Sequence, residues 1–98
     1  MIDALRILKR EHTRIAQLFA EFEQLPERAC IGRAAIVRQI DDLVRVHISH
    51  ERGDPDEYGL MLRLLGEIAK MDCHDVMYVP RVLVLRNLLL RHIQEEAR

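Results

Sequence analysis

Val82-Leu83-Val84-Leu85-Arg86-Asn87-Leu88-Leu89-Leu90-Arg91-His92-Ile93-Gln94-Glu95-Glu96 contains neither glycine nor proline, and its apolar residues recur at helical intervals. Val82, Leu85, Leu89, His92 and Glu96 follow one another by steps of three and four, so on a helix they share one face. Such a stripe packs into a core, and a histidine and a glutamate occupy positions where leucine would be expected. His47 and Glu51 repeat the arrangement, four apart, continuing a stripe through Ile36, Ile40 and Leu43. Two His-x-x-x-Glu pairs on inward faces suggest a metal site within a helical bundle.

Working outward from this stretch gives three more helices. Asp72-Cys73-His74-Asp75 reads as a loop, with Pro80 near the start of the last helix. Before it, a helix opens at Gly53-Asp54-Pro55: Asp54 can cap, Pro55 suits the first helical position, and Asp56 and Glu57 face the positive end of the dipole. Its inward residues are expected to be Tyr58, Leu62, Leu65 and Ile68 or Ala69, and its end near Met71 or Asp72. The helix before that is expected from Ile31 or Arg33 to His50 or Glu51. The first helix starts after the cap Asp3, carries Leu5, Leu8, His12, Ile15, Phe19 and Phe22 inward, and stops at Leu25-Pro26-Glu27 because proline disfavours a helical residue before it. Four helices with short connections predict an all-α, up-down-up-down antiparallel four-helix bundle.

Composition agrees with this reading. The 98 residues suffice for one domain with a modest core, spanning 1–98. Nearly half are apolar, about a third are charged, and glycine and proline are scarce. A net charge of −1 with mixed signs points neither to nucleic acid nor to an anionic membrane. No apolar run approaches the length of a membrane span, and Met1-Ile2-Asp3 lacks the pattern of a secretory signal, so a cytoplasmic location is expected. Cys30 and Cys73 make no disulfide framework and no CxxC knuckle; both fall in connections at the same end, and two free thiols are expected.

Antiparallel geometry also places the polar core residues. Residues level with one another in a hairpin are equidistant from its turn. The midpoint of His12 and His47 is 29.5, that of Glu51 and Tyr58 is 54.5, and that of Tyr58 and His92 is 75; all three fall in predicted turns. His12, His47, Glu51, Tyr58, His92 and Glu96 should therefore gather near one bundle end. Imidazoles and carboxylates at that end suit iron, manganese or zinc. A buried carboxylate also requires a positive partner, either a metal or an arginine such as Arg14 or Arg91. A lone histidine on an apolar face is more often a satisfied core residue, and a histidine–carboxylate hydrogen-bond network is the bland alternative for the group. His74, one long helix away at roughly 24 Å, is set aside, and His50 is a neighbour of His47 by one turn.

The same residues carry a family resemblance. Asp3-Ala4-Leu5 through Lys9-Arg10-Glu11-His12, with Leu18-Phe19-Ala20-Glu21-Phe22-Glu23, resembles the first helix of hemerythrin-like, HHE cation-binding domains. Leu43 to Glu51 resembles their His-x-x-x-Glu helix, and Leu64 to Asp72 with Val82 to Leu85 and Arg91 to Glu96 resembles the remaining pair. The resemblance covers nearly the whole chain, which reads as a shortened member with a brief Arg52–Asp56 connection. It implies a non-haem iron centre of one or two ions, with His12, His47, Glu51, His92 and Glu96 as ligands and Glu51 and Glu96 as bridges. Tyr58 follows Glu57 where the family carries a histidine, and both a phenolate ligand and a core phenol fit there. It also implies dioxygen or nitric oxide as the small ligand, or iron sensing.

No nucleophile–base pair, phosphate loop or substrate pocket is visible, so the reading is not an enzyme. The competing reading is a metal-free helical module serving dimerisation or protein interaction after loss of the site. In either case the last helix carries more apolar residues than one stripe requires. Leu83, Leu90 and Val84 are the surplus, and a homodimer through this helix is the expected use.

Overall fold

The computed structural model describes residues 4–26, 28–50 and 55–96, and of Ala4, Leu5 and Glu96 the backbone alone. It is all-helical: α1 (Ala4–Gln24), α2 (Cys30–His50), α3 (Pro55–Lys70) and α4 (Tyr78–Glu96). The expected cap at Asp3, Glu27 in the first turn and the Gly53-Asp54 half of the second turn lie outside the described residues.

Each described boundary follows from local chemistry. Pro26 ends α1; the Leu25 amide still donates to the Phe22 carbonyl at 3.3 Å, and the Ala29 amide turns back to the Pro26 carbonyl at 2.9 Å. The Ala29 carbonyl then accepts from the Arg33 amide, the first bond of α2. Pro55 opens α3, with Asp56 and Glu57 in its first turn and Lys70 in its last, the charge order that suits the helix dipole. Between α3 and α4 the chain makes a tight Asx turn: the His74 amide donates to Asp72 Oδ1 at 2.8 Å, and the Asp75 amide to the Asp72 carbonyl at 2.9 Å. These bonds from His74 hold the Asp72 carboxyl below its ordinary range. Asp75 Oδ1 accepts from the Met77 amide at 2.9 Å and caps the entry to α4.

The helices pack as two sequential pairs, α1 on α2 and α3 on α4. Smaller contacts join α2 to α3 and α1 to α4. The core between them holds Ile15, Leu18, Phe19 and Phe22 from α1, Val37, Ile40 and Val44 from α2, Tyr58, Met61, Leu65 and Ile68 from α3, and Tyr78, Val82, Leu85 and Leu89 from α4. On α4 the expected Val82, Leu85, Leu89 and His92 are buried. On α2 the expected Ile40 and His47 are buried, but Val37 and Val44 join them where Ile36 and Leu43 were expected, and those two are only partly buried. Met61 likewise takes the buried place expected for Leu62. Two helical phases one residue apart fit the same apolar sequence, and contact with the neighbouring helices selects between them.

The expectation of two free thiols is corrected. Cys30 opens α2, Cys73 sits in the Asx turn after α3, and their Cα atoms are 5.5 Å apart, bonded as a disulfide. Short connections at both positions bring the two sulfurs to the same place.

Tyr78, the first residue of α4, is almost wholly buried. Burial raises its phenol above the usual value, against a smaller lowering by Arg38 and Arg33. Unfolding lets the phenol ionise at its ordinary value, about 10, whereas the folded chain keeps the proton longer. The contribution to stability is thus complete below that pH and is lost as pH rises through the folded value. Urea unfolding at about pH 8 and about pH 10.5 should show an alkaline loss that Tyr78→Phe reduces.

Candidate metal centre

Three imidazoles meet inside the bundle. His12 lies in the first half of α1, His47 near the end of α2 and His92 near the end of α4. Their candidate ligand atoms all lie within 4.8 Å of one another. His47 is 1% exposed and His92 4%, whereas His12 is partly open. The rings stand edge to face: His12 and His47 centroids are 4.5 Å apart, His12 and His92 5.9 Å, His47 and His92 5.7 Å.

The hydrogen bonds orient these rings. His47 Nδ1 is 3.0 Å from Glu11 Oε1, so the nitrogen donates and the carboxylate accepts. That tautomer leaves the lone pair on His47 Nε2, which stands 3.0 Å from His12 Nε2. Two imidazole nitrogens sharing one ion at about 2.0–2.1 Å stand roughly 3.0–3.3 Å apart, so the separation suits a common cation. A carboxylate behind a histidine, with the far nitrogen turned to the metal, is the usual support of a metal-binding imidazole.

His92 has a similar backing. Its Nδ1 is 3.6 Å from Glu57 Oε1, an ion-pair distance that sets a negative charge beside the ring. The His12–His47–His92 group, with Glu11 behind it, can hold a metal ion.

Glu11 was not among the residues expected from the sequence, although it is 8% exposed and accepts twice. Its second oxygen accepts from His50 Nδ1 at 3.0 Å, so one carboxylate clamps two imidazoles a helical turn apart on α2. A signal for it existed. Glu11, Ile15, Leu18 and Phe22 form a stripe stepped by fours and threes, and the midpoint of Glu11 and His50 is 30.5, close to the first turn.

The remaining expected residues divide. Tyr58 is buried beside the cluster, its ring centroid 5.6 Å from that of His92. Glu51 lies outside the described residues, as does the side chain of Glu96. His74 belongs to the Cys30–Cys73 turn and not to this group. Beside His12, a shallow groove with Ala16, Ala20 and Ile93 in its walls opens to solvent.

Comparison with protein-family models, curated proteins and solved structures gives no match. Among the described residues, no helix is long and apolar enough to cross a membrane.

Proposed function

We propose that the chain is a hemerythrin-like domain, an up-down-up-down antiparallel bundle that binds non-haem iron and through it binds or senses dioxygen, nitric oxide or iron supply. The observation that carries this reading is the His47 imidazole. Its Nδ1–H is directed into Glu11, and its Nε2 and that of His12 are 3.0 Å apart beside His92. Glu11 fixes the tautomer of His47 and offsets positive charge, and Glu57, 3.6 Å from His92 Nδ1, adds a second negative charge beside the cluster. Iron held by imidazoles would supply a redox-active cation with positions open to a diatomic ligand. Three neutral imidazoles leave an iron ion short of its usual coordination, and Glu51 and Glu96 are the carboxylates proposed to complete it. The groove at His12 is mostly apolar-walled and opens to solvent, which gives a small uncharged molecule access to the cluster.

A second reading has its own support. The 3.0 Å separation of the two Nε2 atoms also fits a direct imidazole–imidazole hydrogen bond, which would make the cluster a self-satisfied polar network. The bundle would then serve interaction, with half-exposed Val84 and partly buried Leu83 and Leu90 of α4 as a homodimer face. Anaerobic loading with ferrous iron, removal of excess, elemental analysis and an absorption spectrum after admission of air separate the two. Wild type should retain stoichiometric iron, and His47→Ala and His92→Ala should lose it with helical content kept. Substoichiometric iron in wild type, unchanged by either substitution, leaves the metal-free module.

A further inference from the structure

A second cluster of metal-ligating side chains lies apart from the histidine centre, about 26 Å away along α2 by the rise from Cys30 to His47. Cys30, Asp72, Cys73 and His74 place one candidate ligand atom each within 4.8 Å of all the others. His74 Nδ1 is 3.5 Å from Cys30 Sγ and 3.0 Å from Asp72 Oδ1. Three of the four residues are consecutive in the Asx turn, whose backbone bonds fix their spacing, and the fourth is the first residue of α2. We propose that, with the disulfide reduced, Cys30, Cys73, His74 and Asp72 bind one zinc ion tetrahedrally, so that this corner is either a covalent clasp or a metal clasp.

The donor set favours this ion. Two thiolates, one imidazole and one carboxylate oxygen are ligands that zinc takes in four-coordinate sites. Zinc at about 2.3 Å from each sulfur would hold the pair roughly 3.8 Å apart, near the contact distance of two unbonded sulfurs. Little backbone movement is therefore needed beyond the Cα separation of 5.5 Å. The 3.0 Å between His74 Nδ1 and Asp72 Oδ1 is likewise close to the ligand–ligand edge of a small tetrahedron. At the N-terminus of α2 the helix dipole favours the Cys30 thiolate. Access is open, since the His74 side chain is 81% exposed and that of Asp72 73%. The same sulfurs cannot serve both states. A dithiol reductant supplies two electrons and two protons to the Cys30–Cys73 bond, itself becoming a disulfide. Zinc then displaces the two thiol protons to solvent as it binds.

Cobalt reports on this site separately from the histidine centre, because only thiolate ligands give an intense near-ultraviolet sulfur-to-cobalt band. Protein reduced with a phosphine and freed of it under argon is titrated with cobalt and then with zinc. The expected result is a saturable thiolate band with tetrahedral visible bands, its intensity that of one cobalt in a two-thiolate site, bleached by added zinc. The band should be absent from disulfide-bonded protein and from Cys30→Ser/Cys73→Ser. His74→Ala, an exposed position that leaves the fold intact, should weaken cobalt binding at least about 10–100-fold, the effect of losing even an outer partner. No thiolate band in reduced wild type overturns the proposal. So does a band whose affinity His74→Ala leaves unchanged. Neither outcome depends on the histidine centre, whose imidazoles give no such band.

Discussion

Glu11→Ala lowers the affinity of the histidine centre for its metal by roughly 10–100-fold, although Glu11 is not among the proposed ligands. The carboxylate accepts from His47 Nδ1 and His50 Nδ1, each at 3.0 Å, and so decides which nitrogen of His47 faces the centre. Without it His47 can rotate or take the other tautomer, and the negative charge behind the ring is gone. Glu11→Gln should fall between wild type and alanine, since the amide oxygen still accepts from His47 while the charge is lost. The apo protein also weakens. His47 is 1% exposed, so removing the Glu11 acceptor of its Nδ1–H deprives it of a buried hydrogen bond, at a cost of about 1–3 kcal/mol. Competitive chelator titration measures the first effect and urea unfolding the second. A metal-free polar network would show only the stability loss, so unchanged metal retention across the series contradicts the metal reading.

Reduction of the Cys30–Cys73 bond in the absence of metal lowers stability by about 2–4 kcal/mol. The cross-link spans a sequence separation of 43 residues, long enough for loop closure to restrict the unfolded chain substantially. For a domain of ordinary stability, about 5–15 kcal/mol, that is a considerable fraction. Urea unfolding of oxidised and reduced protein in chelator gives the difference directly. A midpoint that does not move would mean that strain in the native link offsets the constraint on the unfolded state.

The four helices were legible because each is bounded by a residue with a fixed conformational preference. Pro26 and Pro55 mark an end and a start, and the described bounds of α2 fall within three residues of those expected. On α4 the stripe Val82, Leu85, Leu89 and His92 was legible because its apolar residues recur at steps of three and four without a competing phase of equal length. On α2, by contrast, Ile36, Val37, Leu43 and Val44 offer two adjacent apolar phases, and packing decides between them. His12, His47 and His92 were found because a polar residue on an apolar stripe is conspicuous. Glu11 escaped because it precedes one of them on a helix whose other glutamates are solvent-facing, and a carboxylate is by default read as surface. The nearness of Cys30 and Cys73 followed from the connections, whereas their bonding depends on a redox state that residue types do not encode.

The two polar clusters have a mechanical consequence. The bundle divides into α1–α2 and α3–α4, with the thinner contacts running between these halves. The Cys30–Cys73 bond crosses that division at one place. A cation held by His12, His47 and His92 would cross it again, about 26 Å along α2. Hydrophobic burial along a thin seam resists sliding poorly, while two fasteners so far apart oppose both shear and rotation of one half on the other. With both in place, loss of either would leave a hinge at the one that remains, so the state of each would set how widely the opposite end could open.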